Sequence, residues 1–117
     1  MTTKETIQGY FNELKQKKAW GSFLAEDMTF TSFVIPSKQV AGRTAYIDST
    51  RRFFSMIVAV EVRDILVEDE KACVTTRYEL QPPKGSSFKS DVAEVFTVRN
   101  GKIDSLSIYF DSSPFPK

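Results

Sequence analysis

The spacing of apolar positions changes once along this chain. Over residues 2–17 they recur at Ile7, Tyr10, Phe11 and Leu14, the i, i+3, i+4, i+7 spacing of a helix with one buried stripe. Thr2 and Glu5 match a capping box at its start. Residues 19–25 fit a second short helix that buries Trp20, Phe23 and Leu24. Residues 28–34 read as a strand and 36–42 as irregular chain. Gly42 then precedes a third helical pattern over 44–54, with Tyr46, Ile47, Phe53 and Phe54 on adjoining faces. From Ile57 the period falls to two. Residues 57–67 and 72–80 are strands rich in β-branched side chains, separated by the polar turn Glu68-Asp69-Glu70. Pro82-Pro83-Lys84-Gly85 makes a loop, and residues 88–99 and 102–111 flank the turn Asn100-Gly101. Helices near 3–17, 19–25 and 43–54 followed by four long antiparallel strands predict one α+β domain over residues 1–117.

Composition narrows the function classes. The chain has 117 residues, 16 basic and 15 acidic, for a net charge of +1. A dedicated nucleic-acid surface normally shows a basic excess on one face, so none is expected. Arg51-Arg52 and Lys15, Lys17 and Lys18 read as solvated helix faces. The single cysteine, Cys73, allows no internal disulfide and fits a reducing compartment. Histidine is absent, which excludes histidine acid–base catalysis and histidine-ligated metals. Carboxylates could still hold a hard cation, but no calcium-loop spacing appears, and the expectation is neither metal nor cofactor. No window resembles a membrane span or the apolar core of a signal peptide, and a cytoplasmic location is expected.

Within the strand 88–99, Glu94 alternates with Val92, Phe96 and Val98, so all four share a face. An ionised carboxylate on an apolar face is costly unless paired or neutralised, and such groups are commonly kept at the bottom of a pocket. The alternatives are a Glu at a solvated strand end or a strand whose faces are assigned the other way round. The following turn bears on the choice. A two-residue Asn100-Gly101 turn would set Glu94 opposite Ser107. A three-residue Arg99-Asn100-Gly101 turn would set it opposite Leu106 and gather Val92, Phe96, Val98, Leu106, Ile108 and Phe110 around it. The second register is preferred for its larger apolar set. Arg77 and Glu79 share the other face from Val74, Thr76, Tyr78 and Leu80, which by alternation alone points them to water, with Cys73 and Thr75 beside them. Tyr10 lies on the buried stripe of the first helix, where its hydroxyl needs a partner. Ser32 and Asp111 are weaker candidates.

Several segments together resemble the nuclear transport factor 2-like superfamily, which includes SnoaL-like polyketide cyclases, ketosteroid isomerases and limonene epoxide hydrolases. They are Leu24-Ala-Glu-Asp-Met-Thr-Phe30 after a short second helix, Gly42-Arg43 opening the third, and Asn100-Gly-Lys-Ile103 through Tyr109-Phe-Asp111. The resemblance implies a cone-shaped domain, with three N-terminal helices packed on a strongly curved antiparallel sheet enclosing a pocket, and often a homodimer. Ile7-Gln-Gly-Tyr10 resembles the isomerase helix whose tyrosine donates to the substrate oxyanion, which falls on Tyr10. Glu94 falls on the isomerase carboxylic acid that stays protonated to donate a second hydrogen bond. The isomerase base falls on or beside Ser32, which cannot replace a carboxylate. Thr76-Arg77-Tyr78-Glu79 resembles the epoxide hydrolase Arg-x-Asp strand, which would move Arg77 and Glu79 into the pocket. The hydrolase's water-activating aspartate falls on Ile108, and its water-holding Tyr and Asn fall on Phe30 and Ser32, so that mechanism is not expected. Asp111 matches an acid near the strand end whose role is open.

The resulting expectation is a pocket lined by Phe30, Ser32, Phe54, Phe96, Leu106, Ile108 and Phe110, with Tyr10, Arg77 and Glu94 pointing in and Glu79 paired to Arg77. The ten phenylalanines suit a small apolar or cyclic ligand carrying one or two oxygens. Enzymatic chemistry would be proton transfer next to a carbonyl, as in isomerisation or aldol-type cyclisation. Tyr10 and neutral Glu94 would stabilise the enolate, and Glu79 would serve as base. The alternative is a non-catalytic ligand-binding or dimerisation module. A sheet-on-sheet homodimer is expected through Val74, Thr76, Tyr78, Val95, Thr97 and Tyr109.

Overall fold

The computed structural model describes residues 1–33 and 38–115. Val34 and Pro36, at the junction expected between strand and irregular chain, lie outside the described residues, as do the last two residues of the tail. The chain runs α1 (Thr3–Lys15), a 3-10 turn (Trp20–Phe23), β1 (Leu24–Ser32), β2 (Lys38–Ala41), α2 (Arg43–Ser55), β3 (Ile57–Glu68), β4 (Lys71–Leu80), β5 (Phe88–Arg99) and β6 (Lys102–Phe110). The architecture is α+β, with two α-helices on a six-stranded open sheet in the order β2-β1-β6-β5-β4-β3. No helix among the described residues is long and apolar enough to cross a membrane.

Three expectations are corrected here. Residues 38–41, expected as irregular chain, form β2 and pair antiparallel with β1. The second helix is only the four-residue 3-10 turn, because Leu24 and Ala25 leave it to start β1. The sheet is mixed rather than antiparallel throughout. Strands β3 to β6 pair antiparallel, but β1 runs parallel to β6, with Phe30 beside Leu106 and Ser32 beside Ile108.

Helix α1 starts on the capping box: Thr2 Oγ1 accepts from the Glu5 amide at 3.1 Å, and the Thr2 amide donates to Glu5 Oε1 at 2.9 Å. It buries Thr6, Ile7, Tyr10, Phe11 and Leu14. Phe96 reaches up from the sheet to meet the Tyr10 and Phe11 rings edge-on, at centroid distances of 5.8 Å and 6.0 Å. Helix α2 is different. Only Tyr46 is fully buried on it, and Phe53 and Phe54 are half-buried. Its apolar face packs on aromatic rings, Tyr46 on Phe30, Phe53 on Tyr78 and Phe54 on Trp20, and borders a cavity between these contacts and the sheet.

The last hairpin follows neither expected register. Asn100 (φ 51) and Gly101 (φ 73) form a two-residue turn with both central residues left-handed, as a type I′ turn requires. Arg99 then faces Lys102 and Val98 faces Ile103, but Thr97 faces Ser105. Asp104 therefore has no partner of its own and forms a β-bulge. Beyond it Phe96 faces Leu106, Glu94 faces Ile108 and Val92 faces Phe110. Glu94 thus lies among the expected apolar set, although opposite Ile108 rather than Leu106. Strand β3 carries two further register shifts, near Val58 and Arg63.

Along β4 the even-numbered residues Val74, Thr76, Tyr78 and Leu80 are buried toward the helices, and the odd-numbered ones are on the outer face. This corrects the expected dimer surface: Val74, Thr76 and Tyr78 are interior, and only Val95, Thr97 and Tyr109 of that set remain outside.

Gly101→Ala should lower stability by about 1 kcal/mol, the approximate cost of a side chain in the left-handed region. Urea unfolding checks this; an unchanged midpoint would show that the turn does not hold the register.

Candidate functional site

Glu94 is the chemical centre of the inner face. It is 3% exposed and projects from the middle of β5 between Val92 and Phe96. Tyr78 Oη donates to Glu94 Oε2 at 2.9 Å, and Thr76 Oγ1 donates to the same oxygen at 3.0 Å while lying 3.3 Å from the Val92 carbonyl. Both donors come from β4, whose alternation brings Thr76 and Tyr78 to the Glu94 side. Both bonds fall on Oε2. No described residue donates to Oε1, and Glu94 is among the residues that line the neighbouring space.

That space is a cavity of about 180 Å³ between α2 and the sheet. Tyr46, Ser49, Thr50, Phe53 and Phe54 of α2 line one side. Phe30 and Ser32 of β1, Tyr78 of β4, Ser90, Val92 and Glu94 of β5, and Ile108 and Phe110 of β6 line the other, and Phe115 closes over Phe110 at 5.2 Å between rings. The walls are mainly aromatic. Glu94 is the one carboxyl among the described lining residues, and no Lys or Arg lines them.

Burial raises the Glu94 carboxyl from an ordinary 4.5 to about 7, and the bonds from Tyr78 and Thr76 pull it down only in part. The surrounding phenols are pushed up as well, first by burial and then by neighbouring groups. For Tyr78 the next cause is the Glu94 charge. For Tyr10 it is Tyr46, then Tyr78 and Glu94. For Tyr46 it is Glu94, while the Tyr10 hydroxyl beside it acts in the opposite direction. The result is a buried cluster of one carboxyl and three phenols. Only Glu94 in it can change charge near neutral pH.

The expected site residues divide into three groups. Phe30, Ser32, Phe54, Ile108 and Phe110 line the cavity with Glu94. Tyr10, Phe96 and Leu106 are buried in the core, not in the cavity wall. Tyr10 stands behind Tyr46 and is not among the hydrogen-bond partners of Glu94. Arg77 and Glu79 are on the outer face, which corrects their expected place in the pocket. Arg77 Nε and Nη2 donate to Asp91 Oδ1 and Oδ2 at 2.7 Å and 3.2 Å, and Arg63 approaches the same carboxylate at 3.7 Å. The cause is the strand period: Arg77 and Asp91 are cross-strand partners on the face opposite Thr76 and Val92. Glu79 faces Lys89 on that same outer side and cannot reach a cavity ligand. Asp111 is exposed and accepts from the Ser113 amide at 3.0 Å, a local turn that lowers its pKa. Tyr46, Phe53, Tyr78 and Ser90 were not foreseen as lining. The signal for Tyr78 was present, since it shares its strand face with Val74 and Leu80.

Comparison with known families and structures agrees with this architecture. A sequence model of the SnoaL-like domain matches residues 7–106. Comparison with curated proteins finds no match. Among solved structures, a nuclear transport factor 2-like protein from Burkholderia thailandensis superposes with a TM-score of 0.83 at 16% identity, over 97% of this chain and 94% of that one. A candidate SnoaL-like polyketide cyclase from Jannaschia sp. CCS1 gives 0.81 at 17%, over 98% and 93%. A protein of ketosteroid isomerase-like fold from Catenulispora acidiphila, in complex with trimethylamine, gives 0.80 at 19%, over 94% and 88%. At such identities the structural likeness shows the fold alone. The match over residues 7–106 shows the family: the chain belongs to the SnoaL-like domain family.

The raised Glu94 has a thermodynamic signature. Between pH 4.5 and 7 the unfolded chain ionises Glu94 while the folded chain keeps it protonated. The folded state then binds more protons, so stability falls as pH rises through this window and levels off above about 7. The total is on the order of 3 kcal/mol. Glu94→Gln should remove this slope, measured as the difference between wild-type and variant urea midpoints across the window. Parallel midpoints would mean that the carboxyl is not buried.

Proposed function

We propose that this SnoaL-like domain binds a small, largely apolar molecule in the cavity beneath α2, with Glu94 as the polar anchor. The observation that carries the reading is a buried carboxyl, bonded by the protein on Oε2 alone among the described residues, that lines an aromatic-walled space. A polar group is retained against its desolvation cost where it has a partner to meet. Size supports a ligand of about one ring, since the cavity holds about 180 Å³ and an apolar cavity of about 150 Å³ accepts benzene. The trimethylamine held by the Catenulispora protein also supports a small occupant.

A second reading, isomerase- or cyclase-type proton transfer next to a carbonyl, is favoured by the Glu94 pKa of about 7. A group titrating near the working pH can both take and return a proton. With Glu79 on the outer face, Glu94 itself would be the base. Its carboxylate would take the proton beside the carbonyl, Tyr46 would face the enolate oxygen, and Glu94 would return the proton to a different carbon.

We also infer a homodimer through the outer sheet face, where Val95 and Tyr109 are exposed and Phe33 stacks on Tyr109 at 4.9 Å. Multi-angle light scattering at tens of micromolar, a range typical of moderate association, should give a dimer mass, and a monomer mass would count against it.

Trp20 reports on the cavity because its ring lies 4.5 Å from that of Phe54. Titration with cyclohexanone or cyclohexylamine should change its emission saturably. Ser32→Leu, which narrows the cavity, should weaken binding about tenfold or more, roughly the loss when a ligand meets an occupied space. Failure of every one-ring probe to bind would sink the ligand reading. Deuterium uptake at the carbon beside the cyclohexanone carbonyl, faster with wild type than with Glu94→Gln, would support the second reading. No difference would leave binding alone.

A further inference from the structure

The chemistry of the cavity wall narrows the ligand class, on the premise that the cavity is a ligand site. Four of the six hydroxyls of the described wall donate within the protein, and those of Ser32 and Tyr46 donate to no described group. Thr50 and Ser49 donate to the Tyr46 carbonyl at 2.7 Å and 3.0 Å, Ser90 donates to the Asp111 carbonyl at 3.4 Å, and Tyr78 donates to Glu94. Each of these groups keeps lone pairs but has no proton left to give. No Lys or Arg offsets them among the described lining residues. The aromatic rings add electron-rich faces, which attract cations. A carboxylate or phosphate would enter a wall with no positive partner, and a carbonyl would find few donors. A hydrogen-bond donor bearing positive charge would find acceptors, π faces and a carboxylate at once.

We propose that the cavity is a binding site for a small protonated amine carried on an apolar skeleton of about one ring, its ammonium group hydrogen-bonded to the Glu94 carboxylate at the aromatic wall. The binding step balances simply. An ammonium enters, Glu94 releases its proton to solvent, and the buried site exchanges one neutral acid for one neutral ion pair. The pair stays neutral overall and is hydrogen-bonded, the condition under which buried charge is tolerated. The groups that face Glu94 are Tyr78 and Thr76 from β4, Tyr46 from α2 and, behind it, Tyr10 from α1. None of them is ionised near neutral pH, so Glu94 alone sets the pH dependence.

Isothermal titration and Trp20 emission with cyclohexylamine, cyclohexanol, cyclohexanone and cyclohexanecarboxylate test this. Cyclohexylamine should bind tightest. Its affinity should rise about tenfold from pH 6 to pH 8, the growth in the ionised fraction of a group titrating near 7. Glu94→Gln should weaken cyclohexylamine about tenfold or more, as expected when a charge-assisted hydrogen bond is lost, and leave cyclohexanol within about threefold. Should that variant fail to fold, the opposite pH slopes of amine and ketone on wild type still decide. Cyclohexanone or cyclohexanol binding as tightly as the amine, or amine affinity falling with pH, overturns the amine assignment while the ligand site stands. No binding by any of the four overturns both.

Discussion

One unpaired residue decides which side chains of the last hairpin look inward. Asp104 is inserted between the pairs Val98–Ile103 and Thr97–Ser105, and everything after it in β6 changes face. Without the insertion the two-residue turn would set Ser105, Ser107 and Tyr109 beside Phe96, Glu94 and Val92. With it, Leu106, Ile108 and Phe110 take those places. The bulge also explains why Ile103 and Leu106 are both buried although three residues apart. Since β6 also carries β1 on its other edge, the same shift places Phe30 and Ser32 next to Leu106 and Ile108 and so completes the cavity's far wall.

The carboxyl at the centre of that wall works against folding at neutral pH. Two hydrogen bonds to Oε2 offset part of its desolvation, and the remainder appears as the rise of its pKa to about 7. A glutamine or leucine would be easier to bury there. Helix α2 shows the same pattern on a larger scale, since its apolar face is only half covered. A packed core would close such a gap, because dispersion contacts are lost across a void. Open apolar surface and a desolvated ionisable group meeting at one place is the arrangement expected of a site.

Much of this was readable from residue spacing, and the errors have physical causes. The α1 stripe, its capping box and the four long strands follow directly from period and end signals. So does the inward face of Glu94, which needs only alternation with Val92, Phe96 and Val98. The bulge was not readable, because Asn100-Gly101 is compatible with several hairpin lengths and no residue type marks Asp104 as unpaired. The second helix shrank because Leu24 is equally at home in a buried strand. Arg77 and Glu79 are the instructive case. Alternation on β4 set them outside with water, and the resemblance to the epoxide hydrolase strand moved them in. The strand period was the better guide, and following it would also have brought Tyr78 inside as the partner of Glu94.

The comparisons bear on this from another side. Proteins of 16 to 19% identity share the fold at TM-scores of 0.80 to 0.83, so the fold persists through wide change of sequence. Fold membership therefore says little about which ligand enters, and the wall residues of this chain must carry that inference. Here they are phenylalanine and tyrosine rings, hydroxyls turned to their own backbone, and a single carboxyl. A site for an oxyanion would need donors kept ready at the point where charge develops. In this chain the donors nearest the carboxyl, Tyr78 and Thr76, are already committed to it. The same bonds that hold Glu94 in place thus engage the two donors nearest it, leave Tyr46 and Ser32 as the wall hydroxyls that donate to no described group, and make the carboxyl the strongest polar feature a ligand can meet.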